Sequence, residues 1–175
     1  KAQDVDEKKW PARQAAWFIN GQKDEGKRAH EVAAGEDLFQ ITHKRIYQAY
    51  EEVCDRGGLV DFAELLLRSH ELWLNDVQLL AHYQERFSHL LVDEFQDTNT
   101  TQWRVTRLLM GEPMRPQGLF VVGDPKQAIY RFRGGDVTVF ERARQQLADG
   151  GGVELSFTWN FRSRPALIDG FNALF

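Results

Sequence analysis

Leu90-Leu91-Val92-Asp93-Glu94-Phe95-Gln96-Asp97 decides how this 175-residue chain is read. Three branched apolar residues that end abruptly in two acids have the form of a short buried strand with charge at its carboxyl end. Working outward toward the C-terminus, the pattern predicts a helix over 100–110 and a Pro/Gly loop over 111–118. A second buried strand, Leu119-Phe120-Val121-Val122, is ended by Gly123-Asp124. Two helical pieces follow, roughly 125–132 and 136–148, and Gly150-Gly151-Gly152 makes a break. Val153–Phe157 reads as a third strand and Pro165–Phe175 as a last helix. Apolar strands joined by helices imply an α/β fold with a parallel sheet covered on both faces. Ligands of such sheets bind at the carboxyl ends of the strands, where Asp93, Glu94 and Asp124 fall.

Toward the N-terminus the pattern is helical throughout, and the organisation divides near residue 88. Trp10-Pro11 places a proline at a helix's first turn, where its missing N–H costs nothing. That helix runs to Gly21 or Gly26, and a small, polar stretch follows to Asp37. Ile41, Ile46, Tyr47 and Tyr50 predict a helix over about 38–54 that stops at Gly57-Gly58. Asp61 three residues before Glu64 is a capping-box-like start. Phe62, Leu65, Leu66, Leu72 and Trp73 form an apolar stripe along the helix after it. A short helix over about 76–87 closes the region.

Composition narrows the function classes. Hydrophobic residues at 42% and charged residues at 27% are ordinary for a globular protein and wrong for a disordered one. No stretch approaches 18 consecutive apolar residues, which excludes a membrane-spanning helix. The lone Cys54 excludes an internal disulfide and a cysteine-rich zinc site, in keeping with a cytoplasmic setting. The first residue is Lys1 rather than Met, which points to a piece of a longer chain, and no leader pattern follows it. The net charge of −4 sits in residues 1–88, with 12 Lys+Arg against 16 Asp+Glu; residues 89–175 balance at 10 each. Lys126, Arg131, Arg133, Arg142 and Arg144 make a local basic stripe that suits phosphate, or equally a solvated mixed-charge face.

Three motifs carry chemistry. In the first, a strand ending in Asp93-Glu94 offers one carboxylate for a hydrated Mg²⁺, a cation that wants oxygen ligands and keeps waters. The neighbouring carboxylate can polarise an attacking water, as phosphoryl transfer to water requires. In the second, Val121 to Asp136, Gly123-Asp124 ends a strand. Gln127 can donate to a phosphate oxygen, and Tyr130 and Phe132 alternate with cations in the manner of a single-strand channel. The plain alternative for those two aromatics is core packing. In the third, Asn160-Phe161-Arg162-Ser163 places an arginine after the third strand. Its permanent charge and forked donors suit a nucleotide's terminal phosphate, though alone it reads equally as a surface residue.

Together and in this order, the three motifs resemble motifs II, III and IV of the superfamily 1 DNA helicases of the UvrD/Rep/PcrA type. Phe18–Gly26, Gly58–Leu66 and His70–Asn75 resemble the same type, so the likeness covers nearly the whole chain. It implies a partial RecA-like (P-loop NTPase) sheet preceded by an all-helical insertion subdomain. Residues 1–88 would be the insertion (the end of a 1B-like region), 89–150 the back part of a first RecA-like domain, and 151–175 the start of a second. It also implies ATP and Mg²⁺ as cofactors, with single-stranded DNA and single-strand/duplex junctions as partners. By the same resemblance Asp93 holds Mg²⁺, Glu94 activates water, Asp124 faces ATP, and Gln127 senses the γ-phosphate and relays it to DNA. Tyr130, Arg131 and Phe132 would meet DNA, and Arg162 would reach the γ-phosphate.

The motif III segment departs from the UvrD pattern. Pro125-Lys126 replaces an acidic pair, Ala128 a serine, and Phe132 a tryptophan. Gly123–Tyr130 resembles instead the RecB and AddA helicase–nucleases. No Gly-x-x-x-x-Gly-Lys-[Ser/Thr] phosphate cradle occurs in the chain; in the family it lies upstream, so an isolated chain of this kind is expected not to hydrolyse ATP. The expected function is that of a fragment of an ATP-dependent 3′→5′ DNA helicase. The alternatives are an inactive structural or DNA-binding remnant and the helicase part of a RecB/AddA-like helicase–nuclease.

Overall fold

The computed structural model describes residues 6, 8–33, 35, 37–111, 118–128, 137–157, 159 and 163–174. Four helices come first: α1 (Ala12–Asp24), α2 (Leu38–Gly57), α3 (Phe62–Asn75) and α4 (Val77–Arg86). Strand β1 (Leu90–Val92), helix α5 (Thr100–Met110), strand β2 (Leu119–Val121), and helices α6 (Val137–Asp149) and α7 (Pro165–Leu174) complete the order. Short 3-10 turns at Phe95–Asp97 and Pro125–Gln127 leave the two strands.

Capping sets most of the helix boundaries. Asp37, Asp61 and Asp76 each accept a backbone N–H three residues on, satisfying a donor that the first turn leaves free. Gly58 ends α2 at φ 62°, ψ 31°, a left-handed conformation that suits a residue without Cβ.

The strands are parallel, with Leu90 opposite Leu119, Leu91 opposite Phe120 and Val92 opposite Val121. Val92, Leu119 and Val121 pack on a core of Phe95, Trp103, Val139 and Ala143. Phe95 meets Trp103 edge-on at 5.5 Å. Because α5 and α6 both feed this one cluster, they cover one face of the sheet. The other face stays open among the described residues: Leu91 is 69% exposed and Phe120 57%. The expectation of cover on both faces is corrected accordingly.

The expected third strand, 153–157, is described and forms no ladder. The two-stranded sheet is the only one among the described residues, and neither of its strands lies alongside to take the segment's hydrogen bonds. Val153, Leu155 and Phe157 are exposed.

A second core of Ile19, Ala29 and Tyr47, with Phe18, Val32, Ile46 and Tyr50, holds the helical region. Here α3 departs from its apolar stripe. Phe62 is 92% exposed, Leu65 and Leu72 are also exposed, and the buried residues are Glu64 and Leu67. Glu64 is turned inward by cations: Lys23 Nζ, 2% exposed, lies 2.8 Å from both Glu64 and Asp61. Arg28 reaches Glu64 at 2.7 Å and clasps Glu71 with two bonds of 2.6 Å. Buried charge is tolerated only when paired this fully. Burial pushes the Glu64 carboxyl up, but hydrogen bonds from Lys23, Arg68 and Arg28 outweigh it and hold its pKa down at about 2. Charge pairing therefore decides which face of α3 points inward, overriding apolar periodicity.

Candidate functional site

The carboxyl end of β1 carries a strained turn. Glu94 adopts φ 44°, ψ 41°, the only left-handed non-glycine residue among those described. Such a conformation costs about 1–3 kcal/mol and persists only where its surroundings enforce it. Three observations supply that enforcement. Asp93 Oδ1 accepts from the Glu94 N–H at 2.9 Å. The Glu94 carbonyl accepts from Asp97 N at 2.9 Å. The next two residues, Phe95 and Gln96, are buried and cannot shift without emptying the core.

A cleft of about 370 Å³ opens at this turn. Asp93, Glu94 and Asp97 line it together with Leu66 of α3 and Val105 and Thr106 of α5. Asp97 Oδ1 is buried and has no hydrogen-bond partner among the described residues. No group of three or more metal-ligating side chains is preassembled among those residues. An all-oxygen set of this kind fits Mg²⁺ held by one or two carboxylates plus waters and phosphate oxygens, rather than by a closed protein cage.

The second strand ends beside the first. Val122 N donates to Val92 O at 2.8 Å, and Phe95 N to Val122 O at 3.0 Å, extending the parallel ladder beyond the strands. Gln96, 6% exposed, accepts the Asp124 N–H on Oε1 at 2.9 Å. Asp124 in turn accepts from Lys126 N and from Gln127 Nε2, both at 2.9 Å. The Gln127 amide and then the Lys126 N–H hold the Asp124 carboxyl below its usual range. The structure thus joins Asp93, Glu94, Asp124 and Gln127 at one end of the sheet. Tyr130, Arg131, Phe132 and Arg162 lie outside the described residues.

Sequence reasoning missed the groups that support this end. Asn99 and Gln102 form a reciprocal capping box at the start of α5, legible in the Asn-x-x-Gln spacing. Gln96 and Asp24 carry no comparable signal. Asp24 ends α1 and accepts from Asn99 Nδ2 at 2.7 Å. Thr101 Oγ1 lies 3.0 Å from Lys23 O and 2.8 Å from Asp24 O, and Arg104 donates to Glu25 O. Helix α5, which directly follows the Glu94 turn, is thereby fastened to the helical region.

A family profile described as the UvrD/REP helicase N-terminal domain matches residues 1–148. The chain belongs to the UvrD/REP helicase family. Among its curated relatives in that family, DNA helicase II of Escherichia coli is 49% identical over 99% of this chain and 24% of that protein. An ATP-dependent helicase/nuclease of Listeria monocytogenes is 38% identical over 79% of this chain and 12% of that protein. The ATP-dependent DNA helicase PcrA of Leuconostoc citreum is 34% identical over 81% of this chain and 18% of that protein. Both helicase types that the motifs resemble therefore stand among the relatives. The chain spans about a quarter, or less, of the length of these proteins. No described helix is long and apolar enough to cross a membrane.

Proposed function

We propose that this chain supplies the water-activating and coupling segment of an ATP-dependent 3′→5′ DNA helicase that translocates on single-stranded DNA and unwinds duplex at single-strand/duplex junctions in the cytoplasm. In this reading residues 1–88 are the helical insertion, 89–150 the back of a first RecA-like domain and 151–175 the start of a second. The observation that carries it is the enforced left-handed turn at Glu94, beside Asp93 and over a carboxylate-lined cleft.

Bound Mg²⁺-ATP would supply the phosphoryl group and the cation that neutralises its charge, with Asp93 as the protein ligand. Glu94 orients and deprotonates the attacking water, and its strained backbone fixes the carboxylate before ATP arrives. Asp124 holds the Gln127 amide, which reports the γ-phosphate to Tyr130, Arg131 and Phe132 on DNA. Arg162 meets the γ-phosphate's developing charge. A helicase–nuclease context is the second reading, favoured by the Gly123–Tyr130 pattern and the helicase/nuclease relatives.

The test is a full-length chimera in which these 175 residues replace the matching stretch of Escherichia coli DNA helicase II. DNA-stimulated ATP turnover is expected in the chimera. Glu94→Gln should keep ATP affinity and lower turnover by roughly two to four orders of magnitude, the range of a lost general base. Near-normal turnover in that variant removes Glu94 from the chemistry.

A further inference from the structure

We propose that Gln96 is a positioning residue that transmits the state of the Asp93-Glu94 turn to Gln127. The inference rests on the functional reading above and adds to it the physical link between the two motifs. Gln96 is a buried polar side chain in a turn whose other buried member, Phe95, serves the apolar core. A glutamine placed there needs a partner, and its Oε1 takes one across the sheet end, the N–H of Asp124 at 2.9 Å. The Asp124 carboxylate then divides its two oxygens: Oδ1 accepts from Lys126 N and Oδ2 from Gln127 Nε2. Glu94 and Gln127 are therefore joined by one peptide step, one buried hydrogen bond and one exposed hydrogen bond.

Gly123 shows that this approach is built in. Its φ is not left-handed, so backbone freedom does not require glycine there. Space does: a Cβ would lie 2.8 Å from Gln96 Oε1 and 2.8 Å from the Phe140 ring. The Phe95 N–H to Val122 O bond runs beside the Gln96 bond, so two adjacent tethers carry displacement from one loop to the other. Gln127 itself is exposed and has no core packing to orient it, so Asp124 sets its direction and Gln96 sets the position of the Asp124 backbone.

The experiment uses the chimera described above. Gln96→Leu keeps the buried volume and removes the acceptor. Its expected effect is a roughly three- to tenfold loss of DNA stimulation of ATP turnover, the size of one hydrogen bond, with KM for ATP and DNA-free turnover within about twofold. Combined with Gln127→Ala, it should add little further loss, since both act through one link. Hydrogen exchange of the peptide spanning 118–128 should quicken in Gln96→Leu. Gly123→Ala, which crowds the same bond, should reproduce both effects and serves if Gln96→Leu does not fold. Undiminished stimulation in a folded variant, additive loss with Gln127→Ala, or unchanged exchange overturns the proposal. If the parent chimera shows no DNA-stimulated turnover, the functional reading fails separately, and the exchange measurement still decides the tether.

Discussion

Asp24→Asn should stabilise this protein at neutral pH, and the gain should disappear on acidification. The Asp24 carboxylate is partly buried against the start of α5, and burial raises its pKa from 3.8 to about 6. A folded-state value above the unfolded one means that the folded protein prefers the protonated acid. The associated stability is present below pH 3.8 and is lost as pH rises through 6. At about 1.4 kcal/mol per pKa unit, ionising Asp24 costs at most about 3 kcal/mol at pH 7–8, roughly half of that at pH 5, and about 0.5 kcal/mol at pH 4. Partial exposure makes the larger figure an upper limit. Asparagine keeps Oδ1 as the acceptor for Asn99 Nδ2 and removes only the charge.

His70 opposes this trend in wild-type protein. Burial first, and the nearby Arg104 charge second, lower its pKa from 6.5, so its contribution is present above pH 6.5 and falls away below. Subtracting wild type from Asp24→Asn at each pH cancels His70 and leaves Asp24. Urea unfolding at pH 4, 5, 6, 7 and 8 should give a difference that grows steadily with pH. The matching rise in Tm at pH 8 is up to about 6–12 °C for a domain of this size. A variant less stable than wild type at every pH would refute this. It would show that the positive end of α5 favours the carboxylate by more than burial opposes it.

Glu64→Gln should do the reverse. Its pKa is lowered from 4.5 to about 2, so the stability it contributes is present above pH 4.5 and is lost as pH falls through 2. Urea melts should show a loss of about 3 kcal/mol at pH 7 that shrinks below pH 4.5, whereas a loss independent of pH would mean that shape rather than charge is at stake. For Phe132→Ala in the chimera, base stacking predicts single-strand affinity weaker by about one to two factors of ten at unchanged melting. Core packing predicts instead a destabilisation of roughly 3–5 kcal/mol with affinity per folded molecule unchanged, so melting and affinity measured on one preparation separate the two.

The parts of this molecule that were legible in the sequence are those in which one residue type announces its own physics. Asp61 three before Glu64, Gly57-Gly58, and Pro11 after Trp10 mark helix ends because caps and turns depend on neighbours in sequence. The two strands were legible because a short apolar run ending in acid has few other uses in a globular chain. Val153–Phe157 carries the same local signal and still makes no strand, because a ladder depends on a neighbour that the segment itself does not encode. The open faces of Leu91 and Phe120 follow from the same limit: which side of a sheet a helix covers is settled by packing and not by strand composition.

Polar burial was the least legible feature, for a reason that Glu64 and Gln96 share. Periodicity assigns charged and amide residues to the solvent face, and on that basis α3 should have buried Phe62 and Leu65. The structure buries Glu64 because Lys23 and Arg28, 41 and 36 residues away, meet it there. Gln96 likewise sits inside because Asp124, 28 residues on, presents an unpaired N–H to it. In both cases the partner that makes burial favourable lies in another element, and no window around the residue contains it. Apolar burial is non-directional and leaves a local rhythm, whereas polar burial is a pairwise match between distant positions and leaves none. The carboxylates proposed for catalysis stood out because they end a strand. The residue proposed to connect them to Gln127 became visible only once both strand ends were in place.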